Sequence, residues 1–245
     1  MSVQPPTAPA ETGKTATGGF TPRAVLSFLV IVVLLPLVLF LAAGTWTWTA
    51  AWVYVIAHWA GTFLSRVLAW RANPDLLAER GKSVEKGFGQ GRDRPLLLVG
   101  ALLGPLAIWI VAGLDERLGW SPNLSLTLQA IAGGLLVAGY AFSTWAFAAN
   151  AYFSAVIRIQ VDRGQKVVTG GPYRLVRHPG YAGGIVVYLA MPLLLDSLWA
   201  LIPTAITVGA VVMRTALEDT TLKESLAGYV EYADRTRFRL LPGIW

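Results

Sequence analysis

Five apolar runs dominate the chain: Ala24–Ala43, Ala50–Trp70, Pro95–Gly113, Leu124–Phe147 and the continuous stretch Ala182–Met213. A run of about 20 apolar residues spans a bilayer. In hydrocarbon every backbone N–H and C=O must find its partner within the protein, so runs of this kind fold as helices. The last run is too long for one ordinary span, and Asp196 and Ser197 lie near its middle. It is expected to form a tight hairpin of two short helices, Tyr181–Leu195 and Leu198–Arg214. The fold class predicted is an all-α integral membrane protein with about six transmembrane helices.

Charge supports this and gives an orientation. Charged residues make up only 14% of the 245 residues, where a soluble domain carries roughly a quarter. The net charge of +6 would suggest nucleic acid in a soluble protein. Here the basic residues fall between apolar runs, so the positive-inside rule explains them and no nucleic-acid partner is expected. Lys14, Arg23, the loop Arg71–Arg94, the segment Arg158–Arg177 and Arg214 onward all share one face, predicted to be cytoplasmic with both termini. Trp46, Trp48, Trp52, Trp120 and Trp199 fall near the other ends of the spans, as an aromatic belt does.

The polar segment 1–22, rich in Pro, Gly and Thr, is expected to be a disordered cytoplasmic tail. Residues 23–149 carry the first four helices, and 150–245 a core with the hairpin 181–214 and a cytoplasmic C-terminal segment. The first apolar run exceeds a signal-peptide core and is taken as an uncleaved span. Cysteine is absent, so no thiol nucleophile or disulfide is available. The two histidines, His58 and His178, lack metal-ligand spacing, and no metal site is expected. His58 lies near the middle of the second span, and a neutral ring bonded to a neighbouring helix is its expected state.

The densest polar chemistry is GPYRLVRHPGY, Gly171 to Tyr181, directly before the hairpin. Pro179 restricts His178 to an extended conformation and favours the first helical position. A helix is therefore predicted to start at Pro179 with His178 as its cap. Its N-terminus favours an anion, Arg174 and Arg177 add positive charge, and Tyr173 and Tyr181 add flat faces. A ligand site and a basic loop against lipid headgroups both fit these residues. Arg214, at the end of the last span, and Glu218 are four apart, and on a helix they would share a face.

Further residues extend the pattern. Val167-Val168-Thr169-Gly170-Gly171-Pro172-Tyr173 precedes Arg177-His178-Pro179-Gly180-Tyr181; Arg214, Glu218-Asp219, Gly228-Tyr229-Val230-Glu231-Tyr232 and Pro242 follow. In this order and spacing, from roughly Asn150 to the C-terminus, the chain resembles the isoprenylcysteine carboxyl methyltransferase family. Its superfamily includes the small membrane phospholipid N-methyltransferases. The resemblance implies S-adenosyl-L-methionine as cofactor on the cytoplasmic side. It implies cofactor-binding roles for Gln165, Lys166, Val167, Val168, Tyr173, His178, Pro179, Gly180, Tyr181 and Glu218, and a catalytic, substrate-orienting role for Arg214. The family pattern has consecutive glutamates where this chain has Glu218-Asp219, so only Glu218 is carried over.

The expected activity is carboxyl O-methylation of an isoprenoid-bearing acceptor that enters from the bilayer, with membrane lipids as partners. Phospholipid N-methylation is the second reading, and an NADPH-dependent membrane reductase a third. Arginine above lysine, with abundant Ala, Gly, Leu and Val, points to a bacterial inner membrane.

Overall fold

The computed structural model describes residues 26, 29–74, 93–154 and 156–245. The expected tail 1–22 and most of the loop Arg71–Arg94 lie outside the described residues. Seven helices carry the fold among them: α1 (Val32–Ala43), α2 (Thr49–Ala72), α3 (Arg94–Leu118), α4 (Leu126–Ala149), α5 (Pro179–Leu194), α6 (Leu201–Ser225) and α7 (Tyr229–Arg235). No strand occurs among the described residues, so the all-α expectation holds.

Three of these helices, α3, α4 and α6, are long and apolar enough to cross a membrane. Helix α2 is as long as α4, at 24 residues, but is not among them. Its Trp, Tyr, His and Thr side chains dilute the aliphatic content. Helices α1 and α5 are shorter apolar helices. The hairpin is present, with Asp196 at φ 59° in its turn. Its second helix starts at Leu201 and runs to Ser225, well past the expected end at Arg214. Polar side chains after Arg214 do not stop the helix, because they continue its buried stripe: Thr204, Thr207, Val211, Arg214, Thr215 and Asp219 are all buried at helical spacing. The described residues of the stretch from Asn150 to Val168 are irregular, with one 3₁₀ turn, Val161–Arg163.

The core sits between α1, α2, α3, α4 and the hairpin, around Leu39, Tyr54, Ile108, Leu136, Met191 and Leu195. The most extensive pairing is α4 on α5, and two glycines allow it. A Cβ on Gly183 would lie 2.6 Å from the Gly139 carbonyl oxygen, and one on Gly139 would lie 2.8 Å from the Gly183 carbonyl oxygen. Close backbone approach through small residues is how helices gain contact where lipid supplies no hydrophobic drive. Within the bundle, His58 Nδ1 lies 2.7 Å from the Tyr140 hydroxyl, joining α2 to α4 as expected.

Each end of the hairpin is closed by a buried aspartate. At the turn, Asp115 of α3 accepts from the Ser121 N–H (2.7 Å), the Ser121 hydroxyl (2.6 Å) and the Ser197 hydroxyl (2.5 Å). At the far end of α6, Asp219 forms the floor of the polar region.

Candidate functional site

The site is built where α5 begins. Helix α5 starts at Pro179 with His178 at its cap position, as the Arg-His-Pro sequence predicts, but His178 has φ −125° and ψ 61°, outside the extended conformation expected of a residue before proline. The preceding residues are anchored to the C-terminal segment: the Arg177 N–H donates to the Phe238 carbonyl and the His178 N–H to the Arg239 carbonyl, both at 2.9 Å. Upstream, the chain turns at Gly171 with φ +58°, a left-handed conformation that a side chain resists. The 3₁₀ turn Gly171–Arg174 then places Tyr173 inward, with only 7% of its surface exposed.

Asp219 is fully buried and gathers this segment. Arg177 donates to it through Nε (2.7 Å) and Nη2 (3.2 Å), and Arg239 through Nε (2.9 Å). The Tyr229 hydroxyl donates at 3.1 Å, His178 Nε2 lies 3.4 Å away, and Lys223 Nζ is at 3.2 Å. Arg177 Nη1 also donates to the carbonyls of Thr236 (2.9 Å) and Arg237 (2.7 Å), just past the end of α7. A buried charge is tolerated when it is paired and its remaining sites are bonded, and that condition is met here. The hub therefore locks α5, α6, α7 and the C-terminal segment in one arrangement.

A second polar chain runs beside it. Arg214 is buried on α6 and donates to Asp93 Oδ2 through Nε (3.4 Å) and Nη2 (3.2 Å). Its Nη1 donates to the Tyr181 hydroxyl at 2.5 Å, and that hydroxyl donates to Glu218 Oε2 at 2.6 Å. Arg214 and Glu218, the expected i, i+4 pair, are thus bridged by Tyr181 of α5.

Between the hub and the loop 152–168 lies an open cleft. It is lined by Gln165, Lys166, Val167, Val168, Tyr173, His178, Gly180, Tyr181 and Glu218, together with Asn150, Phe153, Tyr229 and Tyr232. Burial pushes the phenols of Tyr173 and Tyr229 well above their ordinary range, and Tyr232 up to about 12. They stay neutral and donate: Tyr232 to the Tyr173 carbonyl at 2.7 Å and Tyr229 to Asp219. The Tyr173 hydroxyl accepts from Asn150 Nδ2 at 3.0 Å. The Phe153 ring packs against Gly180, where a Cβ would come within 2.8 Å of it.

The structure thus gathers most of the expected site residues around one cleft, from three separate stretches of sequence. Pro179 is buried at the start of α5 and Arg214 lies behind Tyr181; neither lines the cleft. Two of these side chains already have partners within the protein. The Nε2 edge of His178 faces Asp219 and Tyr229, so this ring is held by the hub rather than offered freely to an anion. The Gln165 carbonyl oxygen accepts from the Gln160 N–H at 2.7 Å, which commits that end of its amide to the loop.

Sequence reasoning passed over Asp219, Asp93, Asn150 and Arg239. For Asp219 a partial signal existed, because it lies four residues after Thr215 and continues the stripe Thr204, Thr207, Val211, Thr215 as well as Glu218 does. Asp93 carried none, since 121 residues separate it from Arg214.

A search of curated proteins returns no match. A family comparison does: residues 128–227, from within α4 to just before α7, match the phospholipid methyltransferase family. The matched stretch holds every residue expected to line the cofactor site, together with Arg214 and Asp219. Over residues 128–227, less than half of the chain, the sequence is therefore similar to the phospholipid methyltransferase family, and so to the superfamily whose pattern residues 150–245 resemble.

Proposed function

We propose that this protein is an integral membrane methyltransferase that uses S-adenosyl-L-methionine and acts on a lipid-like acceptor. The observation that carries the reading is the convergence of Gln165–Val168, Tyr173–Tyr181 and Glu218 on one cleft at the polar ends of apolar helices. The positive-inside pattern puts that face in the cytoplasm, with both termini, in a fold of about six spans.

The donor set suits the cofactor. Glu218 is an acceptor for an amine or for hydroxyls, and the backbone at Val167 and Val168 offers amide edges. Tyr173 and Tyr181 present neutral aromatic faces that attract a flat ring or a cationic centre. When bound, S-adenosyl-L-methionine supplies a methyl group on a positively charged sulfur. The chain's part is to position, orient and exclude water. Phe153 and the loop 152–168 wall the cleft from one side. Tyr181 keeps Glu218 aimed at the cleft, and Arg214 behind it adds positive charge where an acceptor anion needs orienting.

For the acceptor, the leading reading is O-methylation of an isoprenoid carboxylate. A desolvated carboxylate is already nucleophilic, and Arg214, one hydroxyl behind the cleft, adds positive charge that favours one on that side. N-methylation of a phospholipid amine is the second reading, favoured by the description of the matched family. An amine needs a proton acceptor first, and Glu218 is the group at the cleft able to serve.

Thermal unfolding in detergent, with and without S-adenosylhomocysteine, tests the core of the reading. Ligand at a hundredfold excess over its dissociation constant adds about 2.7 kcal/mol, and Glu218→Ala is expected to lose most of that gain. Absence of stabilisation in folded wild type, with stabilisation by NADP, would replace methyl transfer by the reductase reading. Incubation of active protein with isoprenoid carboxylates and with phosphatidylethanolamine then separates the two acceptor classes.

A further inference from the structure

Asp93 lies outside the segment matched to the family, yet it touches Arg214, a buried cation behind the cleft. It precedes the first turn of α3 and is buried. What brings it to Arg214 is a tight antiparallel seam between α3 and α6. A Cβ on Gly100 would come within 3.2 Å of Val211, and one on Gly104 would overlap the Thr207 side chain. The pairs Gly104–Thr207, Gly100–Val211 and Asp93–Arg214 ascend one helix as they descend the other. Small residues one turn apart thus set the register that places a carboxylate against a guanidinium.

We propose that Asp93 is a positioning residue: it turns Arg214 toward Tyr181 and away from Glu218, which leaves Glu218 aimed at the cleft. Arg214 sits four residues before Glu218 on the same helix, the spacing at which oppositely charged side chains pair directly. Two N–H groups donated to Asp93 Oδ2 and a third to Tyr181 hold the guanidinium instead in a fixed plane. Take the charge from Asp93, and the buried cation turns to Glu218, one helical turn away and already joined to it through Tyr181. Glu218 then leaves Tyr181 and its oxygens are consumed by Arg214. The geometric part stands on these contacts alone; the consequence for cofactor affinity rests on the methyltransferase reading.

The test is a double-mutant cycle on Asp93→Asn and Glu218→Gln, read first as ligand-free unfolding temperature in detergent. With Glu218 available as a second partner, Asp93→Asn is expected to lower it by a few degrees; in the Glu218→Gln background the loss is larger, on the order of twofold. Additive losses overturn the proposal, because a purely structural aspartate has the same effect in both backgrounds. The second readout is affinity for S-adenosylhomocysteine, expected to fall about tenfold in Asp93→Asn and no further when Glu218→Gln is already present. Failure of wild type to bind that ligand would sink the methyltransferase reading and leave the stability cycle to decide Asp93. Asp93→Glu keeps the charge and is expected to retain near-wild-type unfolding; a Glu variant as damaged as Asn overturns the proposal even where Asn does not fold.

Discussion

Asp219 and Asp115 are both buried carboxylates that close one end of the α5–α6 hairpin, and they are satisfied in opposite ways. Asp219 gathers Arg177, Arg239 and Lys223, with His178 and the Tyr229 hydroxyl beside them. Asp115 takes only neutral donors, the Ser121 N–H and the hydroxyls of Ser121 and Ser197. The difference follows from what each end has to do. A hydroxyl can donate or accept by rotating, so a neutral clasp fixes a turn and tolerates change. An arginine can only donate and keeps its charge, so a cationic hub fixes direction as well as distance. The rigid hub is the end beside the cleft.

The largest expected effect comes from attacking the hub at its centre. Asp219→Asn leaves Arg177 buried without its carboxylate, and breaking a buried pair in this way costs about 3–5 kcal/mol. A steep fall in detergent unfolding temperature, together with lost S-adenosylhomocysteine binding, is the outcome to look for. An Asp219→Asn protein as stable as wild type would make the two aspartates equivalent and dissolve the contrast. Next in size is Arg177→Lys. It keeps the charge but gives up the forked contact with both Asp219 oxygens and the reach to the Thr236 and Arg237 carbonyls. Losing charge-assisted bonds of this kind costs about 1.5–3 kcal/mol. Protease cleavage after α7 should rise in parallel, because Arg177 is what holds the segment that follows it.

The neutral clasp should respond less. In Asp115→Asn the amide oxygen still accepts from one serine, while the Ser121 or Ser197 hydroxyl rotates to accept from the new NH₂. The cost expected is about 1 kcal/mol, read as a modest shift in unfolding temperature with S-adenosylhomocysteine binding intact. A loss as large as that of Asp219→Asn would show that charge, not bond count, governs this end too.

The contrast between the two ends also explains what the sequence could and could not disclose. The hairpin was readable, because an apolar run broken by Asp196 and Ser197 leaves few other folds, and the cap at His178 was readable from Pro179. The far end of α6 was not. Charged residues after Arg214 look like the end of a span, and their continuation as a helix depends on partners from α5, α7 and the C-terminal segment. Pairings such as Arg177–Asp219 and Asp93–Arg214 join residues 42 and 121 positions apart. A local pattern carries no trace of such separations. The shortened acid at 219, which set this chain apart from the family pattern, turns out to be the one the fold is built around.

The smallest effect tests the edge of the hub. Lys223 approaches Asp219 at 3.2 Å, but 38% of its side chain is exposed and it sits one turn along the same helix. Such pairs contribute roughly 0.3–0.5 kcal/mol because water screens them and the long side chain loses freedom in forming them. Lys223→Ala should therefore leave unfolding temperature and S-adenosylhomocysteine affinity nearly unchanged at moderate salt. Arg177 and Arg239 already contribute three N–H groups to the two Asp219 oxygens. If Lys223→Ala instead cost as much as Arg177→Lys, the hub would owe its strength to summed positive charge rather than to the direction of those three bonds. Asp219 would then differ from Asp115 only in the amount of charge around it.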